Sequence, residues 1–281
     1  MSDEALEGRR RLAVIGHPIA HSRSPAIHNA AFAALALADE WSYEALDVAP
    51  GEFPDRVAEL PSQGFVGANV TVPHKRAALE LADTASDSAG EIGAANTLSF
   101  DGGAIGADNT DAPGFLSALP ASPAGRPALV LGAGGSARAI VWALVRERAE
   151  VVVWNRTAER AKRLAEELGA ATVEPDDDLP AREFELVVNC TSVGMETAAG
   201  GSPAEPELEA LRLAPDAFHA GQVVVDLVYG PGETELARTA RERGAGVVDG
   251  LEVLVRQGAA SFRIWTGIDP PLDIMRRAAR D

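Results

Sequence analysis

The amino-acid sequence predicts an α/β protein that folds into two domains. Short apolar segments alternate with helical patterns along the chain, which is typical of mostly parallel sheets. A Pro-rich stretch at residues 121–127 interrupts this alternation, which then starts again. The length of 281 residues also exceeds what one domain of ordinary size needs.

The first domain is expected to begin with the apolar run RLAVIG at residues 11–16, the pattern of a buried strand. An Ala-rich helix is expected at 24–37, with Ser24 as its N-cap and Pro25 at its first position. Further strands are expected at 41–48, 64–72 and 95–100, and further helices at 52–60 and 74–83. A turn at residues 101–103 follows the last of these strands.

The second domain is expected to begin with a strand, a Gly-rich turn and a helix over residues 127–147. Strands follow at 149–155, 184–192, 222–229 and 244–250, with a helix at 158–169. Residues 196–218 are polar, contain several Gly and Pro, and are expected to form an irregular connection. The chain ends in a long helix at 251–267 and a short helix near 271–280.

Composition and charge restrict the class of protein. The hydrophobic content of 46% suits a soluble globular protein, and no apolar run is long enough to predict a membrane span. The net charge of −17 argues against nucleic-acid binding, because phosphate backbones need a basic surface. The N-terminal residues 1–12 lack the apolar core of a secretory signal, and the single Cys190 rules out an internal disulfide. We therefore expect a cytoplasmic enzyme without membrane or nucleic-acid partners.

A Gly-rich loop between a strand and a helix predicts a dinucleotide site. The spacing is Gly-x-Gly-Gly-x-Ala, in which Gly132 permits a tight turn, Gly134 allows a pyrophosphate to approach, and Ala137 keeps helix and strand close. The helix that follows offers unpaired N–H groups to the phosphates. The predicted contacts are Gly132, Ala133, Gly134, Gly135, Ser136 and Ala137.

The end of the next strand favours NADP over NAD. An NAD site usually has Asp or Glu there to bind the ribose hydroxyls, whereas this chain has Asn155, Arg156 and Thr157. A guanidinium group with two hydrogen-bonding side chains suits a 2′-phosphate. The alternative is that Asn155 and Thr157 only cap the following helix.

Polar side chains cluster where strands of the first domain end, at residues 21–25, 69–75, 96–97 and 106–111. Ligands of open α/β sheets collect at the carboxyl ends of strands, so these hydroxyl, amide, amine and carboxylate groups predict a small polyhydroxylated ligand. No Cys and His spacing of a metal site occurs, and no metal is predicted.

Each polar residue also has a purely structural interpretation. Ser24 suits a helix cap, and Asn109 and Asp111 suit turns. The histidines, His74 among them, are better explained as structural or exposed residues than as ligands; the others considered are His17, His28 and His219.

Lys75 stands out because the chain otherwise uses Arg, with Lys162 as its only other lysine. Arg stays protonated at ordinary pH, whereas a Lys can lose its proton in a suitable environment. In the segment NVTVPHK at 69–75 we expect Val70 and Val72 to complete a buried strand and Lys75 to be presented from the following helix. Lys75 is therefore a candidate for proton transfer.

An ordered set of motifs over nearly the whole chain resembles the shikimate dehydrogenase family. The motifs are GHPI (16–19), HSRSPAIHN (21–29), NVTVPHK (69–75), GAANTL (93–98), GADNTDAPG (106–114), GAGGSARA (132–139), NRT (155–157), NCTSVGM (189–195), DLVYGPGET (226–234) and VRQGAASFRIWTG (255–267). Two departures are the long connection at 196–218 and Val253, where the family often carries Met.

The resemblance implies a substrate-binding domain at 1–111, to which residues 251–281 return, and a Rossmann-type NADP-binding domain at 112–250. It implies reversible reduction of 3-dehydroshikimate to shikimate with NADPH, a step of chorismate and aromatic amino-acid biosynthesis, in a monomer or homodimer. Alternatives are an NAD-using quinate/shikimate dehydrogenase, a non-catalytic nucleotide-sensing regulator and a folate-type dehydrogenase.

Residue by residue, the resemblance implies that Lys75 and Asp111 form the catalytic pair. We treat them as a coupled unit that shares a proton; a purely electrostatic role for Lys75 is the alternative. The residues implied to bind the substrate are Ser22, Ser24, Thr71, Lys75, Asn96, Asp111, Tyr229 and Gln257. Those implied on the cofactor side, besides the Gly-rich loop and residues 155–157, are Thr191, Ser192, Val193, Leu227 and Gly250.

Overall fold

Strands and helices alternate in a computed structural model that describes residues 8–173 and 179–281, and the strands form two separate six-stranded sheets. Each sheet belongs to one compact unit. The first unit runs to Gly114 and resumes at Leu254–Asp281, and the second comprises Phe115–Val253. The α/β fold class is confirmed. Of the N-terminal segment considered for a secretory signal, residues 1–7 lie outside the described residues.

The first sheet has the order β2-β1-β3-β5-β6-β4. Its strands are β1 (Arg10–Gly16), β2 (Trp41–Asp47), β3 (Phe65–Val70), β4 (Thr84–Ala85), β5 (Thr97–Asp101) and β6 (Ala104–Asp108). β1 pairs in parallel with both β2 and β3, while β5 is antiparallel to β3 and to β6. β4 pairs in parallel with β6, so the sheet is mostly parallel as expected; β5 is its antiparallel strand, because the tight turn at residues 101–103 joins β5 and β6 as a hairpin.

Helices of the first unit lie between and after these strands. They are α1 (Ser24–Ala34), α2 (Phe53–Glu59), α3 (Lys75–Glu80), α4 (Asp87–Ile92), α5 (Asp111–Ala118), α11 (Gly250–Thr266) and α12 (Leu272–Arg280), of which α5 and α11 begin in one unit and end in the other. The apolar residues of β1 are buried on both faces, with Leu12, Ala13 and Ile15 fully inaccessible. The central position of β1 explains the apolar run RLAVIG.

Two local expectations for this unit are wrong. Ser24 is the first residue of α1, and Arg23 occupies the N-cap position without a side-chain cap bond. Val72 is 63% exposed, because β3 ends at Val70 and the next residues leave the sheet. Asn69 is buried as well as Val70, since β3 is covered on both faces.

The second sheet is entirely parallel, with the order β12-β11-β10-β7-β8-β9. Its strands are β7 (Pro127–Leu131), β8 (Glu150–Trp154), β9 (Ala171–Thr172), β10 (Leu186–Asn189), β11 (Val223–Asp226) and β12 (Gly246–Asp249). The order reverses between β7 and β10, as in doubly wound dinucleotide-binding sheets. The register aligns Leu131 with Asn189 and Asn189 with Asp226, so the carboxyl ends of the central strands are level.

The remaining helices of the second unit are α6 (Gly135–Arg146), α7 (Ala158–Leu168), α8 (Met195–Ala198), α9 (Glu207–Ala210) and α10 (Glu235–Glu242). The sequence interpretation did not identify β4, β9, α4, α5 or α10, and the connection at 196–218, expected to be irregular, contains α9 and the end of α8. Leu208, Leu211 and Leu213 from this connection are buried in the core of the second unit. Among the described residues, no helix is long and apolar enough to cross a membrane.

Candidate active site

A buried ion pair joins Lys75 and Asp111 in the first unit. Each is the first residue of a helix, α3 and α5 respectively. Nζ of Lys75 lies 2.6 Å from Oδ2 of Asp111, and the two side chains are only 9% and 15% exposed. The pair is largely shielded from bulk water, and its short contact makes it a candidate for shared proton transfer.

The carboxamide of Asn96 connects this pair to Gln257. Nδ2 of Asn96 donates to Oδ1 of Asp111 at 2.9 Å, to Oγ1 of Thr110 at 3.0 Å and to Oε1 of Gln257 at 3.1 Å. Asn96 itself is 2% exposed. Hydrogen bonds thus bring together four residues of the predicted site: Lys75, Asn96, Asp111 and Gln257.

Gln257 reaches this network because α11 packs closely against α5. A Cβ atom on Gly114 of α5 would lie 2.6 Å from the backbone N of Gln257, so the contact requires glycine. Nε2 of Gln257 donates to O of Leu254 in its own helix at 2.9 Å. Its Oε1 is the atom that faces Asn96.

Asn109 holds the start of α5. Its Oδ1 accepts from the backbone N–H groups of Asp111 at 3.1 Å and Ala112 at 3.3 Å, and its Nδ2 donates to O of Ala94 at 2.9 Å. The structural interpretation of Asn109 thus agrees with its contacts. By capping the helix, Asn109 fixes the backbone from which the Asp111 carboxylate projects.

Asn69 lies behind the site and was not among the predicted site residues. Its Oδ1 accepts from the hydroxyl of Tyr43 at 2.8 Å and from that of Ser261 at 3.3 Å. Its Nδ2 donates to the backbone O of Asn96 at 3.1 Å and to Oγ1 of Thr97 at 3.2 Å. The available signal was a polar residue on a buried strand, which needs internal partners.

The histidines of the first unit act structurally in the contacts that the structure describes. His74 is 2% exposed, stacks on Phe53 and forms a 2.8 Å hydrogen bond to O of Val48. Burial, the largest cause, lowers the pKa of His74, so the ring favours its neutral form. His28 is completely buried and stacks on Tyr43.

The predicted hydroxyl groups lie at the carboxyl ends of β1 and β3. Oγ of Ser22 accepts from the backbone N of Ser24 at 3.3 Å, and Ser24 is 3% exposed. The backbone N of Thr71 donates to O of Ile15 at 2.9 Å, which places Thr71 beside the end of β1.

In the second unit, the Gly-rich loop connects β7 to α6 at the reversal of strand order. Gly132 has a φ of +112°, and a Cβ there would lie 3.1 Å from the carbonyl carbon of Cys190. Gly134 occupies the N-cap position, and a Cβ on it would meet no atom within 4 Å. Ala137 is fully buried against the strand. The loop therefore has the conformation and the open backbone that a pyrophosphate requires.

The residues after β8 suit a phosphate better than a pair of ribose hydroxyls. Arg156 is exposed, and no carboxylate follows the strand before α7. Nδ2 of Asn155 donates to O of Thr157 at 3.0 Å. Thr157 is the N-cap of α7, but its side chain accepts no cap hydrogen bond.

A second polar network lies at the ends of β10 and β11. Oδ1 of Asn189 accepts from N and Oγ1 of Thr191 at 3.0 Å and 2.7 Å, and Oγ1 of Thr191 accepts from N of Val193 at 3.0 Å. A Cβ on Gly250 would lie 2.5 Å from O of Leu227, so that contact also requires glycine. Asn189 belongs to a motif of the resemblance, but the sequence interpretation gave it no role in the site.

Three family profiles match consecutive parts of the chain. They are the shikimate dehydrogenase substrate-binding domain over residues 14–98, shikimate/quinate 5-dehydrogenase over 119–197, and the shikimate 5′-dehydrogenase C-terminal domain over 250–280. The first two matches fall in different units of the structure.

Curated relatives match over almost their full lengths. A shikimate dehydrogenase (NADP(+)) of Thermus thermophilus is 48% identical, with 96% of this chain and 97% of that protein covered. The same enzyme of Moorella thermoacetica is 43% identical, with 96% and 92% covered. A crystal structure of shikimate 5-dehydrogenase from Thermus thermophilus, in complex with NADP(H) and shikimate, has a TM-score of 0.84 at 45% identity, with 96% and 98% covered.

A doubly wound unit with a Gly-rich loop, accompanied by a unit that carries a buried Lys–Asp pair, defines an α/β dehydrogenase. The similarity over the full length makes the assignment more specific. The chain belongs to the shikimate dehydrogenase family, which confirms the resemblance found in the sequence.

Proposed function

We propose that the chain catalyses the reversible reduction of 3-dehydroshikimate to shikimate with NADPH, a step in aromatic amino-acid biosynthesis. The observation that carries the proposal is the buried contact of 2.6 Å between Lys75 and Asp111, in a chain that belongs to this family. The carboxamide of Asn96 bonds both to Asp111 of this pair and to Gln257. Such a cluster suits a ligand with several hydroxyl groups.

The first unit binds the substrate in this proposal. Ser22 and Ser24 supply the hydroxyl groups for its carboxylate, supported by the 3.3 Å contact that brings them together at the start of α1. Thr71, Asn96, Asp111 and Gln257 contact the ring hydroxyls. The family resemblance adds Tyr229 to the substrate contacts.

Lys75 and Asp111 move the proton. Reduction of the ketone at C3 adds a hydride to the carbon and a proton to the oxygen, and oxidation of the alcohol removes both. Lys75 is the donor to the oxygen during reduction, and Asp111 orients its ammonium group through the 2.6 Å contact. Asn96 donates to the other carboxylate oxygen at 2.9 Å, which favours the same orientation of Asp111.

The second unit holds the cofactor. The left-handed φ of Gly132 and the open space at Gly134 fit the pyrophosphate, which the residues from Gly132 through Ala137 would hold. Arg156, together with Asn155 and Thr157, would hold the 2′-phosphate. NADPH, when bound, supplies the hydride. Thr191, Ser192, Val193, Leu227 and Gly250 would line the nicotinamide side, where they orient the ring and exclude water.

The NAD-using quinate/shikimate dehydrogenase is not favoured. The curated relatives described above are named NADP-dependent enzymes, and the end of β8 lacks the carboxylate expected of an NAD site. The Lys75–Asp111 pair likewise opposes a non-catalytic regulator.

The test is the appearance of reduced-nicotinamide absorbance when the purified protein is mixed with shikimate and NADP⁺. Parallel reactions with quinate, and with NAD⁺ in place of NADP⁺, measure the preference for each. Turnover of shikimate with NADP⁺ supports the proposal. Faster turnover of quinate with NAD⁺, or no turnover at all, would refute it.

We further propose that the enzyme works in the cytoplasm as a monomer or homodimer. Its single cysteine suits a reducing compartment, in which an NADPH-dependent reduction also belongs. Light scattering after size-exclusion chromatography measures the mass directly against the 29.3 kDa of one chain.

A further inference from the structure

Asn189 and Asp226 are buried register partners at the ends of the two strands β10 and β11. Their exposed fractions are 0% and 2%. Polar groups buried to this extent need internal partners, and each makes several. Their contacts show what the pair holds in place.

Asn189 holds the loop that follows its own strand. Its Oδ1 accepts from N and Oγ1 of Thr191, and its Nδ2 donates to O of Val193 at 3.2 Å. One carboxamide thus bridges both ends of the segment Thr191–Val193. The conformation of this segment depends on which way the Asn189 amide points.

Asp226 fixes that orientation together with the backbone N–H of Thr191. Its Oδ1 lies 2.9 Å from Nδ2 of Asn189 and also accepts from N of Val228 at 3.1 Å. An ionised carboxylate only accepts hydrogen bonds, so the Asn189 amide must turn its NH₂ group toward it. The Asn189 oxygen is then directed to Thr191. With the amide reversed, two oxygens would face each other in a buried site.

The second oxygen of Asp226 is anchored to α10. Oδ2 accepts from Oγ1 of Thr234 at 2.6 Å, and Oγ1 of Thr234 caps α10 by accepting from N of Ala237 at 3.1 Å. The carboxylate therefore connects the loops after β10 and β11 to a fixed helix start.

We propose that Asp226 is a positioning residue for the dehydrogenase reaction: through Asn189 it fixes the segment Thr191–Val193 in the conformation that orients the nicotinamide. This inference rests on the proposed function, because that function places the segment beside the nicotinamide. Asp226 itself need not touch substrate or cofactor.

Keeping the buried Asp226 carboxylate ionised is energetically unfavourable. Burial, the largest cause, raises the pKa of Asp226 to about 6; nearby Glu207 adds to the rise, while the bonds from Thr234, Val228 and Asn189 oppose it. The acidic groups on elements packed around it are Glu207 of α9, Glu235 of α10 and Asp249, its register partner on β12. A site that only stabilised the fold would be better served by a neutral side chain.

The experiment compares wild type, Asp226→Leu and Thr234→Val. Asp226→Leu has a similar size but removes the acceptor that faces Asn189. We expect kcat to fall roughly 10- to 100-fold, the effect of a small misplacement of reacting groups. KM for shikimate should stay within about threefold, because most of its proposed contacts belong to the first unit. The fluorescence of bound NADPH should change with kcat.

Thr234→Val is the matched control. It removes the bond to Oδ2 and the cap of α10 but keeps the carboxylate and its bond to Asn189. We expect a lower melting temperature with nearly wild-type kcat. Equal losses of kcat in both variants would overturn the inference, since Asp226 would then act through the helix cap. Wild-type kcat and NADPH fluorescence in Asp226→Leu would overturn it as well.

Two further readouts separate the possible failures. If the wild type shows no turnover with shikimate, the proposed function fails, and NADPH fluorescence of the variants still decides the role of Asp226. If Asp226→Leu does not fold, Asn189→Ser is measured instead, because it removes the carboxamide through which Asp226 acts. A lower kcat with changed NADPH fluorescence supports the inference, and wild-type values of both overturn it.

Discussion

His28 should make the stability of the first unit depend on pH, and His28→Phe should weaken that dependence. The ring is fully buried and stacks on Tyr43, with centroids 4.2 Å apart and planes inclined by 5°. Neither ring nitrogen has a hydrogen-bond partner among the described residues. Burial lowers the pKa of His28 from 6.5 to about 3. A Phe ring preserves the stack without a titratable group.

The direction of the pH dependence follows from the number of protons that the folded and the unfolded chain bind. Below pH 6.5 the unfolded chain protonates His28, whereas the folded chain keeps it neutral down to about pH 3. The unfolded state therefore binds more protons in this window, and stability falls as pH falls. One pKa unit corresponds to about 1.36 kcal/mol, so the full difference between 6.5 and about 3 is worth ~5 kcal/mol. Half of that would be a large part of the stability of an ordinary domain.

The assay is urea unfolding of wild type and His28→Phe at several pH values between about 7 and 4.5, in which range one proton changes the free energy by ~1.4 kcal/mol per unit. Tryptophan fluorescence reports on this region, because the Trp265 ring lies 5.9 Å from His28. The Phe ring is larger than the imidazole, which lies beside Gly258. A cost of fitting the larger ring does not depend on pH, so it shifts the whole curve without changing its slope.

The exposed His21 provides the control, since His21→Gln should leave the slope of wild type unchanged. The expected result is a wild-type curve that falls toward acid more steeply than that of His28→Phe. Parallel curves for wild type and His28→Phe would show that the ring is protonated in the folded state. The inference from its burial would then be wrong.

Three other variants test the site. Lys75→Ala should lower turnover by roughly 10²- to 10⁴-fold with a modest change in KM for shikimate, and wild-type turnover would exclude a catalytic role. Arg156→Asp should weaken NADP⁺ binding by roughly 10- to 100-fold and NAD⁺ binding much less; equal losses, measured by titration, would show that Arg156 does not read the phosphate. Gly132→Ala should cost about 1–3 kcal/mol in thermal unfolding and weaken NADPH binding, because its φ of +112° is strained for alanine; an unchanged melting temperature would contradict this.

Most of the fold could be predicted because apolar periodicity reports burial. The parallel strands of the second sheet were predicted from apolar runs such as those in β7 and β8, and the Gly-rich turn was recognised between one of these strands and the next helix. Short elements could not be predicted in this way, because β4 has two residues and α9 has four, which is too few for an apolar period to appear. α9 forms largely through tertiary contacts, since the Glu207 carboxylate accepts from N of Glu235 at 2.7 Å in return for a bond from N of Glu207 to the Glu235 carboxylate at 2.9 Å.

The candidate site was predictable where a residue type is chemically unusual at its position. Lys75 is one of two lysines, and Gly132 must adopt a positive φ. The residues that support the site from behind are not chemically unusual at their positions in the sequence. Asn69 and Asp226 gain their importance from partners 27 and 37 positions away in sequence, Asn96 and Asn189, which only the fold brings near.

A single backbone N–H group determines which way the hydrogen-bond donors and acceptors of the site in the first unit are oriented. The backbone N–H of Thr110 can only donate, and it lies 2.7 Å from Oδ1 of Asn96. The amide oxygen must therefore face Thr110, which turns the NH₂ group toward Asp111 and Gln257. Asp111 then has one oxygen committed to Asn96 and the other directed at Lys75.

That NH₂ group has two hydrogens but three acceptors within 3.1 Å, so its bonds to Asp111, Thr110 and Gln257 compete. One acceptor is always incompletely satisfied, and a ligand hydroxyl that donates a hydrogen bond of its own can take part at little cost. The bond from Lys75 to Oδ2 of Asp111 does not enter this competition. The network can thus exchange partners around the substrate hydroxyls while the proton-carrying pair stays fixed.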